Sequence, residues 1–275
     1  MDKNTTNLIK FACCILIFFH HYYILEDFAC TWGRIACAIF FFLSSYGICK
    51  SQEKNNYTLL TFCKKRLTRI FIPYVLVNLL AIIGVSFLQK GVLAIPLFQL
   101  VGHGITYVDD SSFTDFLLYT IGLYKIDGAM WFIDVLLLSY IFIWFVIKMN
   151  HKVCRDALVI FCPICLLALD RVCKTHICLW PTDVIGIITG ILFFNHEKKV
   201  LSFIKYKHRL FQIFSLILFT AGVFLYMFLK DNSAIEWKYL EMMMLLYSFF
   251  SICIVISISI AYRCPYTKAC TILGG

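Results

Sequence analysis

Apolar runs of roughly 15–22 residues recur along the chain, separated by polar stretches rich in lysine and arginine. Coiled into a helix, such a run approaches the roughly 30 Å hydrocarbon thickness of a bilayer. Inside lipid every backbone N–H and C=O must find a partner within the chain, so each run is predicted to be a helix. The predicted spans are 7–25, 33–49, 70–88, 129–148, 156–170, 179–195, 209–229 and 241–262. Composition agrees: 61% of residues are hydrophobic and 15% charged, against about 45–50% and 25% in a soluble domain. Mean hydropathy is +0.83. A disordered chain and an ordinary soluble globule are excluded. The expected fold is all-α: a polytopic transmembrane bundle of about eight spans, read as one membrane-embedded domain over 1–275.

The less apolar stretch 89–128 holds Asp109, Asp110, Ser111, Ser112, Asp115 and Asp127. It reads as an external segment with one partly buried helix near 113–124. Basic residues orient the whole. With the N-terminus in the cytoplasm, 18 of the 25 Lys and Arg residues fall on the inner side and 7 on the outer. Such an excess marks the cytoplasmic face. An extra full span within 89–128 would turn the later basic loops outward. The net charge of +9 is thus topological and does not point to nucleic acid; membrane lipids are the expected surroundings.

Fourteen cysteines mostly lie in apolar runs, where a thiol behaves as a small hydrophobe. No paired CxxC set exists, and no metal site is expected.

Ionisable groups inside spans are costly and point to function. Lys10 and His21 in the first span are eleven residues apart. At 100° per residue they return to within about 20° of one face, roughly 16 Å apart along the axis. His20 points about 80° away from Lys10. In the second span Ser44 and Ser45 allow close helix approach. Lys64, Lys65, Arg66 and Arg69 cluster before the third span, with Arg66 and Arg69 one turn apart and able to share an anionic ligand. Membrane topology and anionic lipid headgroups account for the same cluster more simply. Asp134 sits about one turn inside the fourth span, behind Trp131, and needs a partner or a wet cavity. Asp183, Glu241, Glu26, Asp27 and Arg34 together could rim an external pocket, and each singly reads as solvated surface.

Four fragments in order carry a family resemblance. LIKFACCILIFFHH resembles a first helix with Arg or Lys followed, after ten intervening residues, by His, matching Lys10 and His21. FFFLSSYGI resembles a Phe-Phe-x-x-Ser-Gly element, with Ser44 on its Ser and Ser45 in place of its Gly. KKRLTRIFIPY resembles Arg-x-x-Arg-hydrophobic-x-Pro at Arg66, Arg69 and Pro73, and MWFIDVLLLSY a Trp-Phe helix start. The chain therefore resembles the membrane acyltransferase-3 family of bacterial cell-surface polysaccharide O-acyltransferases.

The resemblance implies transfer of an acyl group, usually acetyl, from acyl-CoA to a hydroxyl of a glycan or lipid-linked saccharide, in a bacterial cell membrane and with no metal. On that reading His21 and Asp134 are catalytic. Lys10, Lys64, Lys65, Arg66 and Arg69 bind the cofactor-like donor, and His20, Arg34, Ser44 and Trp131 line the substrate pocket. Members commonly continue with a Gly-x-x-Ser stretch and a further helix, so the resemblance implies a chain stopping short at CPYTKACTILGG. The competing expectations are a multi-pass transporter or glycan exporter, with His21 and Asp134 as relay groups, and an inactive shortened relative.

Overall fold

A computed structural model describes residues 3–22, 30–89, 114, 117, 120–121, 131–173, 181–230 and 237–261. The helices are α1 (Lys3–Tyr22), α2 (Cys30–Asn55), α3 (Leu59–Gln89), α4 (Trp131–Lys148), α5 (Lys152–Cys173), α6 (Pro181–Tyr206), α7 (His208–Lys230) and α8 (Trp237–Ala261). No strand occurs among the described residues. Each apolar run has become one helix, so the all-α expectation holds. Three helices are long and apolar enough to cross a membrane, over Trp32–Asn55, Arg209–Phe228 and Met242–Ser259; Val135–Lys148 is a shorter apolar stretch.

The helix ends differ from the hydropathy reading. Residues 50–69 are not a long loop. α2 runs on to Asn55 and α3 begins at Leu59. Asn56 takes a left-handed backbone with φ of 46°, a conformation Asn tolerates where a helix ends. Thr58 then caps α3: its Oγ1 accepts from the Thr61 N–H at 3.4 Å, and its carbonyl accepts from the Phe62 N–H at 2.9 Å. Within 113–124 the described residues Thr114, Leu117 and Thr120 are helical, and the Ile121 N–H bonds the Leu117 carbonyl at 3.0 Å.

The chain forms two compact units, one of residues Met1–Lys54 with Phe142–Gly275, the other Asn55–Ile141. In the first, the core is built from α1, α2, α6, α7 and α8, around Cys13, Ala38, Phe42, Phe193, Tyr226, Tyr247 and Ile252. Serines 251 and 259 on α8 are buried yet satisfied, donating to the carbonyls of Ser248 and Ile256 at 2.6 and 2.7 Å. α7 lies at the margin of this core. Phe214, Ile217, Phe224 and Phe228 are largely exposed, as suits a lipid-facing helix. In the second unit α3 likewise exposes Ile72, Leu76, Val77 and Leu80, and Asn78 donates to the Thr120 carbonyl at 3.4 Å.

Two glycines set the central helix pair. A Cβ at Gly186 of α6 would stand 2.5 Å from the Ala38 carbonyl oxygen of α2. One at Gly190 would stand 2.6 Å from the Phe42 carbonyl oxygen and 2.7 Å from the Ser45 Cβ. Only residues without a side chain allow this approach, which is how small-xxx-small segments pack in membranes. Contacts run from Ala38–Gly186 through Phe42–Gly190 to Tyr46–Glu197, so α2 and α6 are parallel. Parallel spans need an odd number of crossings between them.

Candidate functional site

The α2–α6 pair has charged residues toward each end, basic on α2 and acidic on α6. At one end, Arg34 near the start of α2 is within electrostatic reach of Asp183, on the first turn of α6. Asp183 is fully buried and Arg34 half-buried. This corrects the expectation of solvated surface for Asp183. Asp183 is buried because α6 enters the core directly from Pro181, with Thr182 and Val184 buried beside it. Tyr226 of α7, Tyr247 of α8 and Cys37 of α2 are also within electrostatic reach of Arg34. The two tyrosine rings meet edge to face at 5.8 Å.

The histidine end of α1 belongs to the same neighbourhood. A Cβ at Gly33 would stand 2.4 Å from His20 Cδ2. The imidazole of His20 thus lies flat on the residue next to Arg34. α1 is unbroken from Lys3 to Tyr22, so Lys10 and His21 keep the helical relationship read from their spacing. Lys10 is half-buried and engaged in an interaction. The side chain of His21 lies outside the described residues, as do those of Trp131 and Asp134 at the start of α4. Ser44 is half-buried, while its neighbour Ser45 makes the tight contact with Gly190.

At the other end, about 24 Å along α2 from Arg34 at 1.5 Å per residue, Glu197 collects two partners. The Tyr46 hydroxyl donates to Oε1 at 2.6 Å, and Lys50 Nζ meets Oε2 at 2.7 Å. Glu53 lies 3.5 Å from the same ammonium, which also sits 5.3 Å from the centre of the Phe194 ring. Partial burial disfavours the Glu197 carboxylate. The hydrogen bonds from Lys50 and Tyr46 outweigh it and hold the group below the usual carboxylate range. The two preceding residues of α6 turn to α5. Asn195 Nδ2 donates to Asp156 Oδ1 at 2.5 Å, and His196 Nε2 pairs with Asp156 Oδ2 at 2.8 Å. Sequence reasoning missed this Asn195–His196–Glu197 triplet. The available signal was its place at the end of an apolar run, opposite Lys50 in basic-residue count, but no spacing rule links residues about 150 positions apart.

The basic cluster of α3 lies in the other unit. Lys65 Nζ donates to the Tyr57 hydroxyl at 2.6 Å and sits 4.6 Å from the centre of that ring. Lys64 and Arg69 are exposed. Arg66 is half-buried, and its Nε is shielded without a hydrogen bond. Thr68 bonds back to the Lys64 carbonyl at 2.5 Å. Pro73 is accommodated inside α3. Among the described residues no group of three or more His, Cys, Asp or Glu side chains is arranged to hold a metal ion.

An all-α chain with lipid-facing helices, buried intramembrane charges and a basic cluster at one helix start is the architecture of a polytopic membrane protein. The acyltransferase-3 family, described as an acyltransferase domain, matches residues 5–274. The chain belongs to that family and is a membrane acyltransferase. No curated protein matches it, and no solved structure matches it.

Proposed function

We propose that the protein moves an acyl group, acetyl in the simplest case, from acyl-CoA to a hydroxyl of a cell-surface glycan or lipid-linked saccharide. The setting is a bacterial cell membrane crossed several times, with the Lys50 end of α2 and the start of α3 facing the cytoplasm. The excess of basic residues in those segments supports that orientation. Acyl transfer to a hydroxyl needs a base, and a histidine near neutral pH can serve. His21 takes that role, with Lys10 on the same stripe of α1.

The observation that carries the donor assignment is the state of Arg66 and Arg69. They stand one turn apart on α3, and the shielded Arg66 Nε has no hydrogen-bond partner among the described residues. A guanidinium with unused donors beside a second one fits the phosphates of coenzyme A. Lys64 adds an exposed charge to the same surface. His20, Arg34, Ser44 and Trp131 belong with the acceptor side of the site.

The test is acetyl-CoA binding to the purified full chain in detergent. Arg66→Ala/Arg69→Ala is expected to weaken binding at least tenfold, with a shallower dependence on salt. Unchanged affinity in the double variant overturns the donor assignment.

A further inference from the structure

α6 outlasts its apolar run. The run read from the sequence ends at residue 195, and the helix continues to Tyr206. The continuation from Lys198 reads KKVLSFIKY. At about 100° per residue, Val200, Leu201 and Ile204 fall on one side of it, and Lys198, Lys199, Ser202, Phe203, Lys205 and Tyr206 on the other. Burial follows that division. Ile204 belongs to the core, with Val200 and Leu201 packed against it, whereas the residues of the second side are all exposed. Phe203 and Tyr206 are 62% and 83% exposed. Two aromatic rings on the charged face of a helix are out of place in water. They suit the surface of a bilayer, where aromatic and basic side chains collect together.

The length of the next helix supports that depth. α7 is apolar enough to cross a membrane over the 20 residues Arg209–Phe228, which span roughly 30 Å, the hydrocarbon thickness. Lys205, Tyr206 and Lys207 immediately precede that stretch, at the level of the headgroups. Lys207 is the single residue between the two helices. Its N–H donates to the Phe203 carbonyl at 3.2 Å, and its carbonyl accepts from the Phe211 N–H at 2.9 Å. The elbow thus turns the chain with its backbone partnered, as a polar boundary next to lipid requires.

We propose that the α6–α7 elbow binds anionic phospholipid headgroups of the inner leaflet, with Lys205, Lys207 and Arg209 on the headgroup phosphates and Phe203 and Tyr206 seated at the edge of the acyl chains. The charges are free for this. Lys198, Lys199, Lys205, Lys207 and Arg209 are exposed, and none of them meets a carboxylate among the described residues. No Asp or Glu occurs from Lys198 to Lys230. Lys50 and Lys65 show the contrast: one is held by Glu197 at 2.7 Å, the other by the Tyr57 hydroxyl at 2.6 Å. Lys207 Nζ lies 5.8 Å from the centre of the Tyr206 ring, so cation and ring share one level. Ammonium and guanidinium groups fit phosphate oxygens, and each one near an anionic leaflet adds to the attraction. Coenzyme A also carries phosphates, but these cations stand on an outward face at membrane depth. The inference is independent of the acyl-transfer reading. It bears on the fold, because the same helix holds α2 through Glu197 and α5 through His196.

The test is native mass spectrometry of the purified full chain in detergent, titrated with phosphatidylglycerol or phosphatidylcholine, with melting followed in the same mixtures. The wild type is expected to retain phosphatidylglycerol about tenfold more tightly than phosphatidylcholine and to melt higher in its presence, since binding favours the folded state. Lys205→Ala/Lys207→Ala/Arg209→Ala is expected to lose about tenfold or more in phosphatidylglycerol affinity. Phe203→Ser/Tyr206→Ser is expected to weaken retention of both lipids. Lys3→Ala/Lys54→Ala/Lys152→Ala removes as many exposed charges elsewhere and is expected to leave retention unchanged. Lys207→Gln disturbs only the turn and is expected to lower phosphatidylglycerol affinity severalfold, which keeps the test decisive if the triple elbow variant does not fold. Equal retention of the two lipids by the wild type, equal loss in the elbow and control variants, or unchanged retention in Lys207→Gln overturns the proposal. Displacement of phosphatidylglycerol by an equal concentration of acetyl-CoA assigns the elbow to the acyl donor and overturns it as well.

Discussion

Gly190 of α6 rests on the backbone of α2, so close that a Cβ there would stand 2.6 Å from the Phe42 carbonyl oxygen. The opposing atom is backbone and cannot swing aside. Gly190→Ala is therefore expected to separate the helices and to destabilise the protein by about 1–3 kcal/mol, the usual cost of overpacking. Gly190→Leu is expected to prevent accumulation of folded protein. Gly47 is the internal control. Nothing lies within 4 Å of a Cβ there, and Gly47→Ala should match or slightly exceed wild-type stability, since Ala is the better helix former. Thermal melts in detergent read both, and equal melting shifts at positions 47 and 190 would refute the close-packing account.

The helices were legible in the sequence and their partnerships were not. Runs such as FFFLSS and LLLSYIFIWFV announce themselves because burial in lipid demands length and apolarity together. The last turns of α2 and the first turns of α3 did not, because polar helical turns outside the apolar run carry no hydropathy signal. Asp183 looked like solvated rim because a charge near a span end usually is; only the seating of α6 against α2 shows it to be buried. Gly186 and Gly190 are four residues apart and stood in plain view, yet the residues they pack on lie about 148 positions earlier in the chain. Lys10 and His21 share an unbroken helix as their spacing required, since that relationship is local.

Glu197 should give the protein an acid-sensitive step. Its carboxyl is held below the ordinary range by Lys50 and Tyr46, so the folded state binds its proton more weakly than the unfolded chain does. The stabilisation is present above the unfolded carboxyl value of about 4.3. It is lost as pH falls through the lower folded value. The pair is partly open to solvent, so the effect is modest. Melting temperature followed from pH 7 downward should fall more steeply for the wild type than for Glu197→Gln. Parallel curves for the two would remove Glu197 from the account.

The Asp156–His196 contact is a clasp between α5 and α6, and its strength should be small. Both side chains retain exposure, 21% and 36%, which places the pair among contacts of about 0–1 kcal/mol. Asn195 shares the same carboxylate, so Asp156→Ala removes two partners while His196→Ala removes one. A double-mutant cycle on Asp156 and His196 should return a coupling below about 1 kcal/mol, falling with added salt. A coupling several times larger, insensitive to salt, would mean that the pair is desolvated in the membrane-embedded protein.

Adjacent histidines on α1 should separate into two roles. The His20 imidazole covers Gly33, at a distance where no Cβ could stand, so its ring fills space that the glycine leaves open. His20→Ala removes that filling and is expected to lower thermal stability while keeping a substantial fraction of acyl transfer. Gly33→Ala forces the same ring away and should reproduce the stability loss. His21 follows at 100° around the helix, on the stripe that begins with Lys10. As the proposed base it is expected to behave in the opposite way. His21→Ala should insert and melt like the wild type yet transfer no label from acetyl-CoA to acceptor. The pH profile of the wild-type rate should carry the limb of a single imidazole base, and His20→Ala should keep that profile. An active His21→Ala protein, or a profile that moves with His20 instead, would show that the base is the other histidine.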